Sequence, residues 1–415
     1  MVRPGSSRPS WIGLHVVALV MFLALHTGCL SPIAMHRAVL EYDRTTSRVE
    51  AELLLLNIAR ARHYRPLHFT AVSSVAATFN FQSTAGITGS IGNAVGPTPQ
   101  PLKLDYSTSV AENPTITIIP ITGEDFTKRI LRPFEESHFE FLAHQGFDIN
   151  MVLRLMARSI TLEEDQRLTV LFNGASRGDA YAEFRRRLLH LAALDYARQL
   201  FIEPVTYEEA YPVALDRALT PAEVVAVLEH GYRWTTPLDG APAMLTRKVS
   251  GRIAITNYDP KRLTNDERHR LNEEIQLYPR DYVYADIRPG FPGGDYPMRG
   301  TIQLRSFNAI IAFVARGIAE EPRFHIDKDP RSGPVPRNPA HVLDIEEADH
   351  APSDTEFAID FEGKSYFIRK VPLSEGMVPS WNQEAFAVLS DLFQMTVTDV
   401  SGVKTPIISI PKGGG

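Results

Sequence analysis

The sequence predicts an α+β fold from three observations: helical apolar periodicity near the start, an uncharged stretch that alternates with period two, and a C-terminal third mixing turn-flanked strands with capped helices. From Ile33 to Arg62 the residues Met35, Val39, Tyr42, Val49, Leu53 and Leu56 recur at spacings of three, four and seven, the signature of a helix. Leu54, Leu55 and Ile58 widen that stripe, so the helix is expected to bury more than one side, in its own domain or against a neighbouring subunit.

Between Pro66 and Leu102 no residue carries a formal charge. From Ser74 to Ile91 one set of alternate positions holds Val75, Ala77, Phe79, Phe81, Ala85, Ile87 and Ile91, broken by Ser83 and Gly89. The other set holds Ser74, Thr78, Asn80, Gln82, Thr84, Thr88 and Ser90. A strand with one wet and one apolar side has this pattern. After a Gly/Pro-rich turn from Gly92 to Pro101, Leu102, Leu104, Tyr106 and Val110 repeat it. Residues 67–121 are therefore expected to form an extended amphipathic β-hairpin. Its apolar face, Val75, Phe79, Phe81, Ile87, Ile91, Leu104 and Tyr106, is the candidate surface for a membrane or a second subunit. Asn113-Pro114 is expected to separate it from a short strand, Thr115 to Ile121.

Residues 122–235 read as a helical region. Thr122 and Asp125 resemble a capping box ahead of Phe126 and Ile130, and stripes recur at Ile149, Val152, Leu153, Met156 and at Phe184, Leu188, Ala192, Tyr196. Thr220-Pro221-Ala222-Glu223 joins an N-cap, a proline at the first helical position and a glutamate at the third. Residues 236–320 read as mixed: a strand from Met244 to Thr256, a long loop with a short helix from Asp259 to Gly300, and a helix carrying Phe307, Ile310, Ile311 and Val314. The Pro/Asp-rich stretch within 321–354 reads as a linker. Residues 355–415 read as a small α+β region: hairpins at Thr355–Phe361 with Lys364–Lys370 and at Met395–Val400 with Thr405–Ile410, and a helix capped by Ser380 and Gln383.

The first 28 residues have a different purpose. Arg3 and Arg8 precede an apolar run from Trp11 to Leu25, and the small pair Thr27-Gly28 stands before Cys29. A basic start, a short apolar centre and small residues before a cut mark a secretory signal peptide, and the run is shorter than the ~20 residues of a spanning helix. Cys29 is the only cysteine of the 415 residues, so no internal disulfide is available. A lone cysteine at that junction resembles the lipobox of bacterial lipoproteins, with His26 where that motif usually has an apolar residue. The resemblance implies cleavage of residues 1–28 and lipid on Cys29, with residues 29–66 forming the anchor and the long helix. Leu30 rather than an aspartate after the cysteine implies transport to the outer membrane, periplasm-facing or at the surface. Several acyl chains together give stable anchoring.

The chain carries 43 basic and 49 acidic residues, a formal net charge of −6, and loss of Arg3 and Arg8 with the leader makes it two charges more negative. With no clustered basic face along the sequence, nucleic acid is not an expected partner. Arg185-Arg186-Arg187 lies on a helix with an apolar opposite side and reads as a solvated face. No phosphate loop, GxGxxG or HExxH occurs. His63 with His68 and His138 with His144 have no common metal spacing. Asp327-Lys328-Asp329 lacks the glycine of a calcium loop, and Gly174-Ala175-Ser176 lacks the glycine pattern of a nucleophile elbow. Glu163-Glu164-Asp165 reads as a surface acid run. No catalytic residue, cofactor or metal is assigned.

Four stretches resemble one another's counterparts in a widespread group of uncharacterised bacterial envelope lipoproteins: Glu52 to Arg62, Asn113-Pro114-Thr115-Ile116 through Pro120 and Gly123, Arg305-Ser306, and Pro406 to Pro411. The resemblance implies an envelope location and brings no activity with it. The expected function is a lipid-anchored, non-enzymatic scaffold or interaction component of the outer membrane, partnered by other envelope proteins or by itself. One alternative is a subunit of an oligomeric β-barrel pore or secretion complex contributing the 72–112 hairpin, similar in plan to the lipoprotein channel that exports curli subunits. The other is a periplasmic hydrolase, which needs a concave pocket that gathers scattered carboxylates and histidines.

Overall fold

Apolar periodicity does produce a helix at the start, α1 (Leu30–Arg62), in this computed structural model. The structure describes residues 30–88, 103–164, 167–213, 220–235, 243–318, 325–369 and 380–397, with side chains at 35–70 and from 119 onward. The fold is α+β, with helices and strands in three sheets. The described chain divides into two units. One holds α1 as far as Leu53 together with Thr70–Pro120; the other holds Leu54–Phe69 and everything from Ile121 onward.

The first unit is a helix and a ribbon. Among the described residues β1 (Phe69–Thr88) and β2 (Lys103–Ile121) pair only with each other, as a two-stranded sheet of 20- and 19-residue strands. At about 3.3 Å per residue each strand runs about 65 Å. β2 continues through Asn113-Pro114, where the sequence led us to expect a break between two strands. Every strand of a two-stranded sheet has a free edge, and a proline there removes no ladder bond. On α1, Met35, Val39 and Leu40 are exposed, Val39 at 59%.

The second unit is built on a seven-stranded sheet. Its strands are β3 (Ala157–Glu164), β4 (Arg167–Phe172), β5 (Phe201–Val213), β6 (Arg233–Thr235), β7 (Ala243–Thr256), β8 (Tyr282–Ile287) and β9 (Met298–Leu304). The order is β4-β3-β9-β8-β7-β5, with β6 also on β7. All pairs are antiparallel except β7 with β8. A parallel pair needs a crossover, here supplied by α7 (Asn265–Gln276). Leu271 and Ile275 of that helix pack with Val205, Ala254 and Tyr284 of the sheet in a closed apolar cluster. Gly251 allows the close approach: a Cβ there would lie 2.2 Å from Asn272 Oδ1 and 2.6 Å from the Val205 carbonyl oxygen.

Helices cover the rest. They are α2 (Glu124–Leu131), α3 (Glu136–His144), α4 (Ile149–Met156), α5 (Asp179–Tyr196), α6 (Pro221–Glu229) and α8 (Phe307–Gly317). α4 and α5 supply Met151, Leu155, Phe184, Leu188 and Leu191, all fully buried. The region 122–235, expected to be helical, thus also carries strands β3 to β6. Their short alternating runs, such as Ser159-Ile160-Thr161-Leu162, sit between stronger helical stripes that hid them. The short helix expected within 259–300 is α7, and the loop expected around it also holds β8 and the start of β9. α2 begins at Gly123, with φ 111 and no side-chain cap, rather than at a Thr122 box. Thr220 does form the capping box of α6.

Near the end, β10 (Glu346–Ala348), β11 (Thr355–Phe361) and β12 (Lys364–Arg369) form an antiparallel sheet in the order β10-β12-β11. The rings of Phe357 on β11 and Phe386 on α9 (Trp381–Gln394) lie 4.8 Å apart, and Ser380 caps that helix. Of the hairpin expected at 395–410, Met395 closes α9 and residues 398–410 lie outside the described ones.

Buried arginines tie the loops. Arg252 donates to Glu136 Oε1 at 2.5 Å and to the carbonyls of Tyr278 at 2.7 Å and Pro279 at 2.9 Å. Residues 325–345, within the expected linker, are instead held against α4 and α5. Arg154 donates to the carbonyls of Pro339 at 2.9 Å and Ala340 at 2.6 Å, and Arg185 donates to Asn338 Oδ1 at 2.7 Å. The Arg185-Arg186-Arg187 run is therefore no solvated face: Arg185 is 0% exposed and Arg187 is buried. Burying a guanidinium is tolerable because its fixed fork of donors meets loop carbonyls and side-chain oxygens.

Candidate functional site

The residues singled out in the sequence fall in the first unit or outside the described part. Cys29 and Ile91 lie outside the described residues. Val75, Phe79, Phe81 and Ile87 fall at even spacings on β1, and Leu104 and Tyr106 on β2. The structure brings these two runs together as paired strands of one sheet.

Sequence reading missed a cavity of about 650 Å³ in the second unit. Its floor is the junction of β3 and β9. The register between them shifts between Ala157 and Ser159, so Arg158 is the extra residue of a β-bulge. A bulge re-aims a side chain. Arg158 is exposed and lines the cavity. Beyond β4, Gly174 to Gly178 make a single tight turn, with Gly178 at φ 55, that places Arg177 in the wall. The Arg177 guanidinium stacks 5.1 Å from the centre of the Phe172 ring.

α8 makes the opposite wall. Phe307, Ile310, Ile311 and Val314 turn into the core, while Asn308, Ala309, Ala312, Phe313 and Arg316 face the cavity. Ser306 caps the helix by accepting from the Ala309 N–H at 3.2 Å. The first turn of a helix favours negative charge because its N–H groups point outward unbonded.

Arg305, immediately before the cap, is the buried base of the site. It donates to the carbonyls of Leu155 at 3.0 Å and Asn173 at 2.9 Å and stacks 3.9 Å from the centre of the Phe313 ring. Burial, with the neighbouring charges of Arg316 and Arg158, lowers its pKa to about 9. It stays charged at neutral pH, with backbone carbonyls rather than a carboxylate for partners. Four arginines thus share one lining in which the described residues include no carboxylate and no histidine.

Two other places gather polar side chains. A cavity of about 410 Å³ is lined by Arg198, Tyr258, Asp259 and Arg262. There Asp286 already accepts from Tyr258 at 2.6 Å and from Arg288 at 2.7 Å, and burial, then that carboxylate, raises the Tyr258 pKa. His190 Nδ1 stands 3.0 Å from Ser332 Oγ, the spacing of a nucleophile and its base. Its Nε2 meets the Gly293 carbonyl at 3.0 Å, which fixes the proton on Nε2, and burial holds the pKa down at about 4. Ser332 is buried and lines neither cavity, so this pair fastens residues 325–345 to α5. Among the described residues no group of three histidine, cysteine or acidic side chains is placed to hold a metal.

No family model, curated protein or solved structure matches this chain. The resemblance to envelope lipoproteins therefore rests on the quoted stretches alone, and the function on the geometry.

Proposed function

We propose that the chain is a non-enzymatic interaction component of the bacterial outer membrane, held by lipid on Cys29, which assembles with further copies through the β1–β2 ribbon. The observation that carries this reading is the ribbon itself: strands of 20 and 19 residues that pair with no third strand among the described residues. An isolated two-stranded ribbon is marginally stable in water, and its outer edges are templates for further strands. Each copy would add two strands to a shared barrel. A spanning strand needs ~9–11 residues, half of what each arm provides. The uncharged, alternating stretch before Leu102 fits such a barrel, and so do Met35, Val39 and Leu40, exposed on the helix that follows Cys29. Among the described residues no helix is long and apolar enough to cross a membrane, so lipid and ribbon are the two attachments in this reading.

The test is the mass of the full chain, expressed with its leader in a Gram-negative host and extracted in mild detergent. A multi-subunit species that becomes monomeric on deletion of residues 72–112 is the expected result, and Cys29→Ser is expected to release the protein from the membrane fraction. A wild-type monomer overturns self-assembly, and one that co-purifies with another envelope protein replaces it with the scaffold.

A further inference from the structure

The arginine cavity needs an occupant of opposite charge. The chain is acidic overall, with 49 acidic against 43 basic residues, so four arginines in one lining with no carboxylate among its described residues do not reflect a basic protein. Like charges converging on one space repel: burial is the main cause of the lowered Arg305 pKa, and the charges of Arg316 and Arg158 lower it further. Arg158 and Arg316 have no ion pair among the described residues, and the partner of Arg177 is the Phe172 ring. A single carboxylate would compensate one of the four charges and leave the rest. A dianionic group with several oxygens meets more than one guanidinium fork at once.

The lining also has an apolar half, Leu131, Phe172, Ala312 and Phe313, and a volume of about 650 Å³ exceeds that of a bare ion. Small-molecule sites typically measure ~300–1,000 Å³ and combine such surface with a few placed polar groups. Three features prepare the site before any ligand arrives: the bulge that turns out Arg158, the ring beneath Arg177, and the carbonyls that fix Arg305.

We propose that this cavity binds a small organic phosphate monoester, with Arg158, Arg177 and Arg316 as its charged contacts and the first turn of α8 beside them. The ester comes free in solution or as the headgroup of a lipid, since both present the same dianion. The inference is independent of self-assembly, because every residue it uses belongs to the second unit.

The experiment is calorimetric titration of the detergent-extracted full chain, at matched ionic strength, with phenyl phosphate and with dihexanoylphosphatidic acid. Saturable binding of either supports the proposal, and the tighter of the two identifies the source. In the Arg158→Ala/Arg316→Ala double variant, affinity is expected to fall at least tenfold with an unchanged unfolding midpoint, because both side chains are exposed. Arg177→Ala gives a second, independent reading of the same loss. Saturation by neither probe overturns the proposal, as does a double variant that binds as tightly as the wild type.

Discussion

The seven-stranded sheet and the ribbon carry the same alternating signal in sequence, yet they satisfy their backbones in opposite ways. In the sheet, β3, β9, β8 and β7 have partners on both edges, and α5 and α7 close over apolar side chains. In the ribbon, each strand has a partner on one edge only among the described residues. Alternation therefore reports that a strand has two different sides and says nothing of who pairs with it. A second contrast lies in the loops. The globular unit has no disulfide available, and its long connections are tied by guanidiniums: Arg154 and Arg185 to residues 338–340, Arg252 to 278–279, Arg305 to Leu155 and Asn173. Among the described residues, one part of the molecule closes its sheet with helices and ties its loops, and the other leaves strand edges unpaired.

The strongest way to break that view is at Arg252. Its carboxylate partner, Glu136, is buried, with Oε2 unbonded, and desolvation raises its pKa despite the arginine. Arg252→Ala would leave Glu136 and several loop carbonyls without their donor. Removing one partner of a buried pair costs about 3–5 kcal/mol. Urea denaturation is expected to show that loss in the globular unit, and a loss under about 1 kcal/mol would mean the loops hold without their arginine ties.

The next effect is set by pH at His190. Its pKa falls from 6.5 to about 4 on folding, because burial disfavours the charged ring. Between those values the unfolded chain binds the proton that the folded chain refuses, so stability falls as pH drops from 6.5 to about 4 and is untouched above. The full effect is about 3 kcal/mol. Glu136, Asp148 and Asp195 have raised pKa values and act with the opposite sign, so the measurement is the difference between the wild type and His190→Gln. The wild type is expected to lose the larger share of its stability between pH 6.5 and pH 4.5. Identical pH slopes would remove His190 as the group that fastens residues 325–345.

Much of the fold was legible wherever one residue type decides local geometry. Thr220-Pro221-Ala222-Glu223 became a helix start, and Glu362-Gly363 became a hairpin turn, with both residues at positive φ (49 and 77). The cavity was not legible. Its four arginines come from a bulge, a tight turn, the residue before a cap and the last turn of a helix, and a bulge depends on a register that only the partner strand sets. Two traces were visible. Arg305-Ser306 stood out as a shared stretch, and Gly174-Ala175-Ser176 was weighed as a nucleophile turn. The structure places Arg305, Ser306, Gly174 and Ser176 in the lining of one cavity.

A smaller effect is expected at the helix start that borders the cavity. Ser306→Ala removes the bond to the Ala309 N–H, and losing such a cap costs about 1 kcal/mol. The same change leaves Arg158, Arg177 and Arg316 in place. Chemical denaturation is expected to register the loss while phenyl phosphate affinity changes by less than the double arginine variant changes it. Equal losses of affinity would make the helix start, rather than the arginines, the dominant contact.

The smallest effect on stability sharpens the comparison most. Among the described residues β1 and β2 form a sheet of their own. Deleting residues 72–112 removes most of the ribbon and leaves the pairs β3–β9, β8–β9 and β5–β7 as they are. If the globular unit is complete in itself, its urea midpoint should stay within the ~0.5 kcal/mol typical of changes that touch no packed feature. The same deletion should abolish the multi-subunit species. A large loss of stability with assembly intact would reverse the assignment: the ribbon would then belong to the core of its own chain, and the surface for other copies would lie elsewhere.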